Sequence, residues 1–256
     1  MSNKGEECAR RILNECGFDN ISEVPLEILV AGRGAFLRYG DLKGADGRIV
    51  FGKSGNAIIT INQNIDYEGR RRFTIAHELG HFEMHKNIAP HLDSDFTFIN
   101  YNKNQIEAEA NQFATELLLP SDLFKKECAG KKFSPDLLRE ISSKFCSSIT
   151  SVAFRYLDIG HHPIFIFFSV GNKVKYWKKS ERYFQRVKDI TNLPPPEDSV
   201  ASEYFSSGKI YPKEESSQQI VKSTWFELSK YDDDEVFYEY CIITPKYNTV
   251  LSIVWQ

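Results

Sequence analysis

No apolar run of the roughly 18 residues that a membrane helix needs occurs anywhere in the sequence. The start, MSNKGEECARRIL, also lacks the apolar core of a secretory signal. Both absences lead us to expect a cytoplasmic protein with no membrane partner. An excess of one charge is missing too. The 32 Lys and Arg against 35 Asp and Glu leave a formal −3, which offers no global attraction for nucleic acid or anionic lipid. Cysteine is scarce and scattered: Cys8, Cys16, Cys128, Cys146 and Cys241 are odd in number and form no CxxC pair. Neither a disulfide framework nor a zinc ribbon is expected from them. None stands beside a base that would activate it, which disfavours a cysteine nucleophile. What remains is an ordinary globular composition, 41% hydrophobic and 26% charged over 256 residues. That length allows one large domain or two to three small ones.

Local pattern divides the chain. Residues 6–16 carry Ala9, Ile12 and Leu13 at helical spacing and stop at Gly17. From Phe36 to Asn62 the sequence is punctuated by glycine, and RIVFG and NAIITIN read as strands. A helix is expected from about Arg71 through His85, a loop over Ile88 to Tyr101, and a helix from Ile106 to Leu119 that ends at Pro120. Ser134-Pro135-Asp136 is a strong helix start, and Leu137 to Gly160 reads as helix, short turn, helix. Past His162 the texture becomes aromatic and β-branched. PIFIFFSV, KVKYWKK, STWFELS, EVFYEYCII and TVLSIVW read as strands around a Pro/Ser-rich, loop-like stretch, Thr191 to Gln219, with room for a short helix.

The chemistry concentrates at FTIAHELGHFEMH, Phe73 to His85, which holds three of the six histidines. HELGH is an H-E-x-x-H. On a helix the first and fifth positions share a face, so His77 and His81 can aim two imidazoles at one metal ion. Glu78 is rotated about 100° from His77 and is placed to take a proton from a water on that metal. That is the pattern of a zinc hydrolase. The apolar Phe73, Ile75, Ala76, Leu79 and Phe82 make the helix a buried one, where two histidines and a glutamate need partners. Gly80, unfavourable in a helix interior, implies that something approaches closely there. His85 lies about 12 Å along the helix from His77, too far to share its metal, and is expected to support the site from the next turn. A third ligand must come from elsewhere. IEAEAN offers Glu107 and Glu109, whose side chains point about 200° apart, so only one can reach the metal.

FTIAHELGH together with EAEANQFATELLLP, the two histidine and glutamate motifs roughly 30 residues apart, resembles the ImmA/IrrE family of zinc metallo-endopeptidases. The resemblance covers about residues 10–180. It implies an α+β, thermolysin-like peptidase domain holding one zinc ion, with manganese as the alternative metal. In related zinc proteases the third ligand opens an E-x-x-x-D, whose Asp supports a ligand. Glu107 to Asn111 fits with Asn in place of Asp, which implies Glu107 as ligand, Glu109 as the alternative, and Asn111 as a supporting partner. NAIITIN, Asn56 to Asn62, is placed like the edge strand that pairs with an extended substrate, or else it is a core strand. Arg70, Arg71 and Arg72 read as a solvated charge run with one salt bridge.

The resemblance also sets the expected organisation: a metallopeptidase domain over residues 1–125, a helix-turn-helix-like unit over 126–160, and a β-rich, GAF-like C-terminal domain over 161–256 that senses or docks. DNA reading by the helical unit is disfavoured, because its second helix begins Ser147-Ser148-Ile149-Thr150-Ser151 with Arg155 as its sole basic residue. The expected function is proteolysis with Glu78 as general base, acting on a helix-turn-helix transcriptional repressor to derepress genes. The rival is a regulator that keeps the peptidase fold and acts by binding protein, ligand or DNA. The intact Glu78 argues against that rival, since a structural metal site needs no base.

Overall fold

The computed structural model describes residues 3–52, 55–86 and 99–256, which divide into two compact units. Unit 1 comprises residues 1–127 and 140–151, and unit 2 comprises 128–139 and 152–256. The helices expected over 126–160 are therefore divided between the units by chain position. Among the described residues, no helix is long and apolar enough to cross a membrane.

Unit 1 opens with α1 (Lys4–Cys16), which buries Ala9, Ile12 and Leu13 and ends as Gly17 turns left-handed at φ 69°. A short helix that the pattern did not suggest, α2 (Leu26–Gly32), leads into β1 (Ala35–Gly40). β2 (Gly47–Phe51) and β3 (Ala57–Asn62) complete a three-stranded sheet of order β1-β3-β2. β3 is parallel to β1 and antiparallel to β2. NAIITIN is thus the central strand, with no free edge, and the reading of it as a substrate-pairing edge is corrected. Ala57, Ile59 and Ile61 point into the core, and a second partner strand closes the side an edge would leave open.

Two long helices cross that core. α3 (Glu68–His85) and α4 (Ile99–Leu118) pack where Gly80 meets the Phe113 ring; a Cβ at residue 80 would lie 3.0–3.2 Å from three Phe113 carbons. The mid-helix glycine is explained by this approach. α4 begins seven residues before the expected Ile106, and 88–98 of the expected loop lie outside the described residues. The start of α3 is tethered by Arg72, a buried guanidinium donating to the carbonyls of Ile21 (2.7 Å) and Val24 (3.1 Å). Arg70 grips Asp46 through two bonds of 2.7 and 2.9 Å, and Arg71 pairs with Glu68. The arginine run is a set of three engaged cations, one of them buried, rather than a solvated charge run. α5 (Ser121–Cys128) follows α4 directly.

α6 (Pro135–Lys144) starts as read, with the Leu137 amide donating to Ser134 Oγ, and α7 (Ile149–Ile159) follows a short turn. Unit 2 then builds β4 (Phe165–Val170), β5 (Lys173–Lys179), β6 (Ser217–Val221), β7 (Val236–Thr244) and β8 (Thr249–Trp255). They form an antiparallel sheet of order β5-β4-β8-β7-β6 over an aromatic core of Phe165, Phe167, Trp225, Phe226 and Phe237. The short helix anticipated in the Pro/Ser-rich stretch is α8 (Val200–Ser207), capped by Ser199 Oγ. STWFELS is not a strand. Its first residues close one helical turn, α9 (Lys222–Trp225), because Asp234 accepts from the Ser223 amide and hydroxyl and Trp225 turns inward to donate to Glu239. The pairing falls instead on β6, whose first three residues lie in the stretch read as loop.

Candidate metal centre

Helix α3 sends His77 and His81 from one face, one turn apart, with their Nε2 atoms 3.0 Å from each other. Helix α4 brings Glu107 to the same point: its carboxylate oxygens lie 3.3 Å from His77 Nε2 and 3.7 Å from His81 Nε2. Donors arranged tetrahedrally around zinc, with bonds of roughly 2.0–2.1 Å, stand about 3.3 Å from one another. The observed separations bracket that value, and two imidazoles with a carboxylate are a donor set zinc accepts. The three side chains fit a metal ion. Among the described residues, this is the group of histidine, cysteine and acidic side chains gathered closely enough to do so.

The electrostatics suit ligation. Burial holds the imidazole of His77 below its ordinary range, and burial with the neighbouring His77 and His85 pushes His81 down to about 3. Both rings are then neutral near pH 7, which a metal requires of them. Glu78 leaves the helix in another direction and is buried. Its carboxyl is pushed up to about 7, first by burial and then by the charge of Glu107. The strand start at Gly47 lies against it: a Cβ there would stand 2.6 Å from Glu78 Oε1 and 2.7 Å from Thr74 Cγ2. Only glycine lets β2 run this close to the carboxylate, a role that a glycine beside a strand-forming run can signal in sequence.

The remaining predicted residues fall into two groups. His77 Nδ1 is 3.0 Å from Asn111 Oδ1. His85 is buried, with Nδ1 3.1 Å from His81 Nδ1 and Nε2 3.1 Å from Glu109 Oε2. Glu109 is buried as well, and its other oxygen accepts from Gln105 Nε2 at 3.0 Å. Burial works to raise its carboxyl, yet bonds from His85 and Gln105 hold it below the usual range. Sequence reasoning passed over Gly47, Gln105 and Phe73, whose ring stacks on His77 with centroids 6.4 Å apart. Phe73 stands one turn before the motif, where an aromatic residue carries no distinctive signal.

Comparison with known proteins bears on the same stretch of the chain. Residues 32–156, which include α3, α4 and the whole cluster, match the family described as IrrE N-terminal-like domain (Peptidase_M78). Metallopeptidase ImmA of Bacillus subtilis (strain 168) is 30% identical over 95 residues, 36% of this chain and 52% of that protein. Immunity region protein 2 of Bacillus phage phi105 is 40% identical over 65 residues, 25% of this chain and 39% of the phage protein. The matched stretch thus spans about half or less of each of these relatives. A solved Mycobacterium tuberculosis transcriptional regulator shares the fold at a TM-score of 0.61 and 13% identity, over 98% of this chain and 75% of that one. Residues 32–156 thus belong with the IrrE N-terminal-like domain of the ImmA/IrrE family, and it is within that stretch that His77, His81 and Glu107 converge.

Proposed function

We propose that this chain is a cytoplasmic zinc endopeptidase that uses His77, His81 and Glu107 as metal ligands and Glu78 as general base. The observation that carries the reading is the convergence of two imidazoles and a carboxylate beside a buried glutamate with a raised pKa. Zinc, or manganese in its place, would supply the Lewis acid that polarises the peptide carbonyl and acidifies the attacking water. Glu78 takes the proton of that water as its oxygen bonds to the carbonyl carbon, and returns it to the amine nitrogen as the C–N bond breaks. A carboxyl near 7 can serve in both directions at neutral pH. Asn111 accepts from His77 Nδ1 and keeps its Nε2 free for the metal.

The edge that supports an extended substrate is β2. The Asn62 amide donates to Asp46 O and the Gly52 amide donates to Asn56 O, so even-numbered positions of this strand face β3. By alternation, the amides and carbonyls of Gly47, Ile49 and Phe51 face the open edge, next to Glu78. The family resemblance suggests a helix-turn-helix transcriptional repressor as substrate. Within this reading the peptidase part is residues 1–125, the helical part 126–160, and the β-rich part 161–256 a GAF-like sensing or docking domain; the aromatic core of unit 2 supports a C-terminal part that packs around a core of its own. N-terminal profiling of proteins in cells that express wild type or Glu78→Gln tests the proposal. New termini within a DNA-binding repressor are expected with wild type alone. Identical termini with both proteins would remove Glu78 from the mechanism.

A further inference from the structure

We infer that Glu109, acting through His85, is a positioning residue that fixes which nitrogen of His81 faces the metal. The inference rests on the proposed ligation by His81 and assigns the second glutamate of IEAEAN a role distinct from that of the first. Each neutral imidazole carries one N–H and one bare nitrogen, so a chain of two rings between a metal and a carboxylate has a polarity. Its far end is set here. Glu109 Oε2 can only accept when ionised, and it lies 3.1 Å from His85 Nε2, which must therefore carry the proton. His85 Nδ1 is then bare and accepts from His81 Nδ1 at 3.1 Å. His81 in turn has its proton on Nδ1, leaving Nε2 bare and directed at His77 and Glu107.

The opposite arrangement fails on burial. His85 and Glu109 are only 4% and 9% exposed, so little water is at hand for an imidazole nitrogen and a carboxylate oxygen whose lone pairs face each other. Glu109 is itself held from behind, by Gln105 Nε2 at 3.0 Å and by Lys4 Nζ of α1 at 3.8 Å. The two histidine ligands are thus supported unequally. His77 ends on the neutral amide of Asn111, whereas His81 ends, through a second ring, on a charged carboxylate. A neutral amide oxygen orients a ring, but a carboxylate also favours the proton on the side facing it.

The test uses the full chain with zinc alone as probe. Nitrogen-15 correlation spectra of the imidazoles, recorded on zinc-loaded wild type, should show His81 protonated at Nδ1 and His85 at Nε2. Glu109→Gln keeps the shape but can present either an oxygen or an amide to His85, so the His85 proton should redistribute. Its zinc dissociation constant, read by chelator competition, should rise about 10-fold, and that of Glu109→Ala by up to about 100-fold, with one zinc still bound at saturation. An unshifted His85 proton in Glu109→Gln together with unchanged zinc affinity would overturn the inference. So would complete loss of zinc in Glu109→Ala, which would make Glu109 a ligand. If His77→Ala also keeps full zinc affinity, the underlying ligand assignment is what has failed.

Discussion

Metal-free Glu78→Gln is expected to be more stable than metal-free wild type at pH 8, by about 3 kcal/mol. The Glu78 carboxyl stands at about 7 in the folded chain against an ordinary 4.5, with burial as the main cause and the charge of Glu107 as the second. A raised carboxyl binds more protons folded than unfolded between those two values. Stability contributed by this group therefore falls as pH rises from 4.5 to 7, by about 1.4 kcal/mol for each unit of the shift. Glutamine has no charge to bury and escapes the loss. His81 runs the other way: its value of about 3 against 6.5 makes the fold gain stability as pH rises between them. The difference between the two proteins, taken from denaturant midpoints across pH 4 to 8, cancels His81 and isolates Glu78. Parallel curves would mean that the carboxylate is solvated and not tuned for proton transfer. A base held at such a cost in stability is common where catalysis needs it.

The second large effect is expected in unit 2. Glu239→Ala should lose more than about 3 kcal/mol, because a buried carboxylate is removed from several donors at once. Glu239 is fully buried on β7 and accepts from the Val200 amide at 3.0 Å and the Ala201 amide at 3.3 Å, the first two of α8. Trp225 Nε1 donates to it at 3.2 Å and the Cys241 thiol at 3.4 Å. Burial holds its carboxyl above the usual range, against the pull of bonds from Ser252, Trp225, the Val200 amide and Cys241. Alanine would leave two helix amides and an indole N–H without partners inside an aromatic core. Glu239→Gln, with one accepting oxygen and an amide that meets donors head-on, should fall between the two. All three tryptophans, Trp177, Trp225 and Trp255, belong to unit 2, so their fluorescence follows its unfolding alone. A midpoint within error of wild type for Glu239→Ala would show that the network contributes nothing.

Much of the site could be read in the sequence because its chemistry lies along single helices. H-E-x-x-H fixes two imidazoles by helical period alone, and the helix stop at Gly17 and start at Ser134 follow from local backbone and capping needs. What was hidden depends on partners distant in sequence. NAIITIN alternates like a half-buried strand whether it is an edge or a centre, and only the parallel pairing with β1, more than twenty residues earlier in the chain, decides it. STWFELS has the composition of a strand, yet Asp234 and Glu239 draw it into a turn. The spacing of Glu107 and Glu109 shows that they face apart, but their partners sit on α3. Arg72 reads as a surface charge until the carbonyls of Ile21 and Val24 are seen to receive it.

The most direct test of the account is the metal content of protein purified without chelators and then exposed to zinc, wild type beside Glu107→Ala. The account predicts about one zinc per wild-type chain, lost in Glu107→Ala. Zinc-free wild type, or a full zinc complement in Glu107→Ala, would contradict it.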